Sequence, residues 1–178
     1  MDRVPILSRV LDVVQVVALA VGIVMIIGMA ILMNAEIASR TLFGISTQIA
    51  DEYAGYFFTA ATLLCFLPAL REGRFLAVES LVAVLPARAG AASEIGAALV
   101  GAATCGVLAS ATFDLAAASY AFGTRSLQAS ETPLVIPQAL MPIGFALLAL
   151  AFLERGWIRA RQLWRGEIFR NEMNHAVD

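Results

Sequence analysis

The stretch VVALAVGIVMIIGMAILM, residues 16–33, runs for 18 positions without one polar side chain. As a helix rising about 1.5 Å per residue it is about 27 Å long, close to the ~30 Å hydrocarbon thickness of a bilayer. A secretory signal has a shorter apolar run of about 7–15 residues and a small-residue cleavage site. Here the run continues into Met33-Asn34-Ala35-Glu36, so it reads as a retained helix. The rest of the chain agrees: its 178 residues are 60% hydrophobic and 15% charged, with a mean hydropathy of +0.82. An ordinary globular domain has about 45–50% apolar and about 25% charged residues. The composition excludes a typical soluble enzyme and indicates a polytopic membrane protein.

Working outward, four apolar spans are expected, at about residues 13–33, 53–70, 95–113 and 134–153. Thr59 and Thr62 interrupt the second, and their hydroxyls can bond back to a carbonyl one turn earlier. Pro137 suits the first turn of the fourth helix, where its missing N–H costs nothing, whereas Pro142 removes a hydrogen bond and should kink it. Cys65 and Cys105 lie inside apolar runs without the spacing of a disulfide framework or a metal site, and they read as packing residues. His175 sits alone in a polar tail without an orienting partner for imidazole chemistry.

The chain has no lysine, and ten of its twelve arginines fall on one side of the spans. Arg3 and Arg9 precede the first span, Arg71, Arg74 and Arg88 lie between the second and third, and Arg155, Arg159, Arg161, Arg165 and Arg170 follow the fourth. Only Arg40 and Arg125 lie opposite. The positive-inside rule therefore places both termini in the cytoplasm and the 34–52 and 121–133 loops outside. Tyr53, Tyr56, Phe57 and Phe58 would anchor the outer interface, and Trp157 and Trp164 the inner one. A formal charge of −2 gives no basic field for nucleic acid.

Residues 75–85 are apolar but too short to span. Phe75, Val78, Leu81, Val82 and Leu85 fall on one helical face, so the segment is expected as a short amphipathic helix on the cytoplasmic interface, or as a loop packed on protein. The expected fold is thus all-α and integral to the membrane: one domain of four transmembrane helices, an interfacial helix between the second and third, and a cytoplasmic tail over 155–178. That tail either binds anionic headgroups or serves only to fix topology.

An ionisable group at membrane depth is a functional candidate. Asp114 is the deepest carboxylate by sequence, read either as an interfacial group or as a proton relay. Glu36 and Arg40 form a favourable i, i+4 pair, and Asp51 and Glu52 suit the start of the second helix. Arg40 could also turn back to Asp51 or Glu52 and fix the connection in which Gly44 supplies the turn. Ala98, Ala102, Gly106 and Ser110, leading to Asp114, recur every fourth residue and suggest a close-packing face, either for a helix of the same chain or for a separate interface. No paired-carboxylate, nucleophile-elbow, phosphate-loop or metal-ligand constellation is present, which argues against catalysis, and no cofactor is implied.

The segments Arg40-Thr41-Leu42-Phe43-Gly44-Ile45-Ser46, Asp51-Glu52, Arg71-Glu72-Gly73 through Val78-Glu79, and Pro133-Leu134-Val135-Ile136-Pro137-Gln138 through Pro142-Ile143-Gly144 share an order and spacing over the spans. This pattern resembles the small membrane subunit of tripartite ATP-independent periplasmic (TRAP) transporters, the DctQ-like family, over about residues 10–165. The resemblance implies a multi-pass bacterial inner-membrane subunit paired with a large permease subunit that carries the transport sites. It also implies a periplasmic substrate-binding protein that delivers an organic acid, with uptake driven by an ion gradient. The small subunit would be a fixed scaffold contacting lipid and its large partner. By position, Arg40, Asp51, Glu52, Arg71 and Glu79 correspond to charged positions of the family. Ile49 stands where Trp is common in it and Phe75 where His is common, so any hydrogen bonds of those groups are absent here.

A competing reading is a small self-assembling proton-coupled transporter or channel with Asp114 as the titrating group. A haem- or quinone-bearing subunit would need axial ligands, and the single histidine lies in the tail.

Overall fold

The computed structural model describes residues 6–72 and 87–165. They form four helices: α1 Ile6–Phe43, α2 Ala50–Arg71, α3 Ala87–Ala121 and α4 Val135–Trp164. All four are long and apolar enough to cross a membrane. The interfacial helix expected over 75–85, with Glu79, and the tail beyond residue 165, with His175, lie outside the described residues.

The helices outrun the apolar stretches because hydropathy reports lipid depth, whereas backbone hydrogen bonding continues past the lipid. α1 has 38 residues and α3 has 35, about 57 Å and 52 Å of helix against the 40–45 Å of a bilayer with its headgroups. The extra turns carry polar groups into the interfaces. Within the spans Thr59 donates to the Gly55 carbonyl at 2.9 Å and Thr112 to that of Leu108 at 2.6 Å.

The chain runs up and down, so the start of α1, the end of α2, the start of α3 and the end of α4 share one end, here the terminal end. The opposite, loop end carries the connections 44–49 and 122–134. α1 packs on α2, α2 on α4, and α4 extensively on α3, while α1 barely meets α4. The helices therefore stand in the order α1, α2, α4, α3, with α1 and α3 at the two edges.

Lipid tails are as apolar as leucine, so burial here does not gain the free energy of leaving water; tight packing must hold the row. A small buried core of Ala18, Leu67, Leu70, Cys105, Leu148 and Ala151 joins all four helices. Glycines bring the backbones close. A Cβ at Gly22 of α1 would sit 2.6 Å from the Cys65 sulfur of α2, one at Gly144 of α4 2.9 Å from Leu63 of α2, and one at Gly101 of α3 2.8 Å from the Phe152 ring of α4. Each packed pair of neighbours thus contains a position where a larger residue requires the facing side chain or the helices to shift.

The α3 contact face differs from the expected every-fourth stripe. Ala98 and Ala102 are buried, but Gly106, Ser110 and Asp114 are exposed. Four residues turn a helix by about 400°, so each step drifts about 40°, and by Asp114 the stripe has moved about 160° around. The seam facing α4 instead alternates steps of four and three through Ala98, Ala102, Cys105, Ala109, Thr112, Ala116 and Ser119, the spacing of left-handed helix pairs.

Candidate functional site

The terminal end is closed by Arg71, the last residue of α2. Its guanidinium enters the angle between α1 and α4 and uses its fork on both. Nε donates to Glu154 Oε2 at 2.9 Å and Nη2 to Glu154 Oε1 at 3.2 Å. Nη2 also meets Asp12 Oδ1 at 2.8 Å and the Ser8 carbonyl at 3.4 Å, while Nη1 donates to Gln15 Oε1 at 2.8 Å. Asp12 and Gln15 lie one turn apart on α1, so both reach the same cation. Glu154 is 6% exposed and Arg71 13%, whereas Asp12 is 58% exposed. The α4 carboxylate is therefore the buried partner, and Asp12 is a partly solvated one.

Two further contacts extend this lock to α3 and to the end of α2. Arg159 of α4 pairs with Glu94 of α3 through Nε, and through Nη2 at 3.2 Å. Arg155 Nη1 donates to the Leu70 carbonyl at 3.2 Å, one of the last carbonyls of α2 that lack an intrahelical donor. Together these groups line a cleft of about 460 Å³ bounded by Asp12, Arg71, Glu72, Glu154, Arg155 and Arg159.

At the loop end two buried carboxylates each hold one connection. Glu36 accepts from Arg40 Nε at 2.7 Å, from Ser46 Oγ at 2.8 Å, from the Thr47 amide at 3.2 Å and from the Thr47 hydroxyl. Gly44, at φ +67°, makes the reversal that brings Ser46 and Thr47 back over α1, a conformation that costs glycine little. Ser39 Oγ adds a bond to the Ile45 carbonyl at 3.0 Å. Glu52, in the first turn of α2, accepts from Tyr56 OH and from Ser130 Oγ of the other connection, both at 2.5 Å. Tyr53 OH reaches Thr132 Oγ1 at 3.0 Å, and its ring meets those of Tyr56 and Phe57 edge-on. The second connection is closed on itself as well: the Ser126 amide donates to the Thr132 carbonyl at 2.9 Å, and that of Leu134 to the Thr124 carbonyl at 3.1 Å.

The sequence candidates are distributed over these clusters. Arg40 binds Glu36 closely and approaches Asp51 only at 3.9 Å, with both members of that second pair exposed. Glu52 turns to the α3–α4 connection. Arg71 is central to the terminal end. Gly106 and Asp114 are exposed on α3, turned from α4, and the deepest carboxylate by sequence is thus not a buried one. Pro137 stands in the first turn of α4, and Pro142 lies inside that helix. Sequence reasoning missed Asp12, Gln15, Glu94, Glu154 and Arg159. The available signal was weak: polar residues flanking the spans at one end, whose partners only the helix order reveals.

The clusters hold polar groups in fixed pairs at the two ends of a row of membrane-spanning helices. The family described as tripartite ATP-independent periplasmic transporters, DctQ component, matches residues 29–162. No curated protein and no solved structure matches the chain. The matched region contains Glu36, Arg40, Glu52, Arg71, Glu94, Glu154 and Arg159, and begins after Asp12 and Gln15. With most of its length matched, the chain belongs to the DctQ family and is a small membrane subunit of a TRAP transporter.

Proposed function

We propose that this subunit is a non-catalytic scaffold: a fixed frame in the bacterial inner membrane, both termini cytoplasmic, that supports a large permease subunit. The permease would take up an organic acid handed over by a periplasmic binding protein, driven by an ion gradient. The observation that carries this reading is the Arg71 fork, which ties α1, α2 and α4 through a buried carboxylate where a moving element would need a loose joint. Glu36 and Glu52 support it at the loop end by fastening both connections. The two edges remain uncovered: Val16, Val24 and Ile31 of α1, and Val107, Phe113 and Leu115 of α3, are exposed. Those faces suit lipid and a large apolar partner, and the terminal-end arginines favour the cytoplasmic side.

The test is reconstitution into vesicles with the binding protein and an imposed ion gradient. This chain alone should move no organic acid, and the large subunit should do so only with this chain beside it. Transport by the isolated chain would overturn the scaffold reading.

A further inference from the structure

The chain has two tryptophans, Trp157 and Trp164. Both are exposed, 61% and 97% respectively. Residues seven apart on a helix point within about 20° of one another, so the two indoles share one face of α4. Leu150 and Leu153, also exposed, continue that face toward the middle of the helix. Arg161 stands exposed between the indoles. Three neighbouring arginines have work elsewhere: Arg71 on Glu154, Arg159 on Glu94, and Arg155 on the Leu70 carbonyl. No carboxylate among the described residues pairs with Arg161.

Helix length says where this stripe lies. From Val135, Trp157 is about 33 Å along α4 and Trp164 about 10 Å further. In an upright helix Trp157 would reach the border of the hydrocarbon, and Trp164 would stand in water. The 30 residues of α4 make about 45 Å, which at the common ~20° tilt projects about 42 Å on the membrane normal. That fits within the 40–45 Å of a bilayer with its headgroups. Tilting toward the Trp face lowers both indoles into the layer that tryptophan prefers. The occupant follows from chemistry along one face: exposed Leu150 and Leu153 suit lipid tails, and one and three turns later two indoles flank a guanidinium that no carboxylate among the described residues pairs with, the combination that suits an anionic headgroup layer.

We infer that the last three turns of α4 lie against the phospholipid headgroups, with Trp157 and Trp164 set into that layer and Arg161 on a lipid phosphate. Anionic lipid is favoured there by about fivefold, the ratio that ~1 kcal/mol per surface arginine corresponds to.

Because no other tryptophan exists in the chain, fluorescence reads this surface directly. In the full chain carrying Trp157→Phe, Trp164 is the sole reporter. The chain is placed in vesicles of phosphatidylcholine, alone or mixed with phosphatidylglycerol, and circular dichroism confirms an unchanged helix content. The expected result is blue-shifted emission, quenching by lipids brominated near the headgroup, and acrylamide quenching several-fold weaker than for an indole in water. Adding phosphatidylglycerol should strengthen this protection, and Arg161→Gln should abolish that increment while leaving the reciprocal Trp164→Phe reporter unmoved. Water-like emission with free acrylamide access in both vesicles would overturn the inference. So would protection that appears only when the large permease subunit is present, since the occupant would then be protein. An increment that survives Arg161→Gln would remove the phosphate contact from the account.

Discussion

Replacing Arg71 with Met removes the fork and keeps most of its aliphatic length. Glu154, 6% exposed, then loses two donors, and Gln15 and Asp12 lose theirs. Breaking a buried ion pair from one side costs about 3–5 kcal/mol, because a charge remains without its partner. Two features reduce that figure. Asp12 is 58% exposed, so its share is that of a surface pair, under ~1 kcal/mol. The adjoining cleft of about 460 Å³ also lets water reach Glu154. The expected loss is about 2–4 kcal/mol, one and a half to three powers of ten in the folding equilibrium. Titrating a denaturing detergent into mixed micelles measures it. The double variant Arg71→Met with Glu154→Leu should recover most of the loss, because neither member is then left charged and buried. Asp12→Asn alone should be mild. If Arg71→Met destabilised no more than Arg161→Gln, whose side chain is exposed, the fork would not be holding the helices and the reasoning would fail.

Other substitutions probe the remaining joints. Gly101→Val should separate α3 from α4, since even a Cβ there falls 2.8 Å from the Phe152 ring; overpacking of this kind costs about 1–3 kcal/mol, and added Phe152→Ala should relieve part of it in the same unfolding titration. Glu36→Gln keeps the shape but weakens acceptance from Arg40, Ser46 and Thr47, so amide exchange at residues 44–49 should speed up while that of 122–134 stays unchanged. Arg40→Ala should lower the yield of assembled transporter without raising the apparent KM, as seen by pull-down and by uptake kinetics at equal complex. Asp114→Asn should leave uptake near wild type, and its abolition would instead favour a proton-coupled role for the exposed carboxylate.

The spans were legible because lipid imposes one demand, an apolar run of sufficient length, and residues 16–33 meet it without interruption. Arginine asymmetry proposes an orientation from sequence order alone, and that orientation belongs to the proposed function. Helix order was not legible, and the polar pairings depend on it. Arg71 and Glu154 are 83 positions apart, and nothing local joins them until α2 packs on α4. Depth in the sequence was also a poor guide to burial. Asp114 lies near an apolar run but points away from α4, whereas Glu154 lies at the edge of one and is enclosed by Arg71. Within the chain the small-residue stripe leaves the α4 seam through helical phase, since a spacing of four wanders around the cylinder and the seam that packs on α4 alternates four with three. The Glu36–Arg40 pair and the Gly44 turn, which need only neighbours in sequence, were readable; the Glu52 contact to Ser130 was not.

The fixed-frame claim is tested most directly by distance. Spin labels at Ile27 of α1 and Val107 of α3, both exposed at the edges of the row, would be introduced with Cys65 and Cys105 replaced by alanine. Pulsed electron–electron resonance is then recorded on the complete transporter at rest, and again with loaded binding protein and an ion gradient. A rigid scaffold gives one narrow distance that does not change. A second distance that appears during turnover would show that the helices of this subunit move with the substrate, and the account would be contradicted.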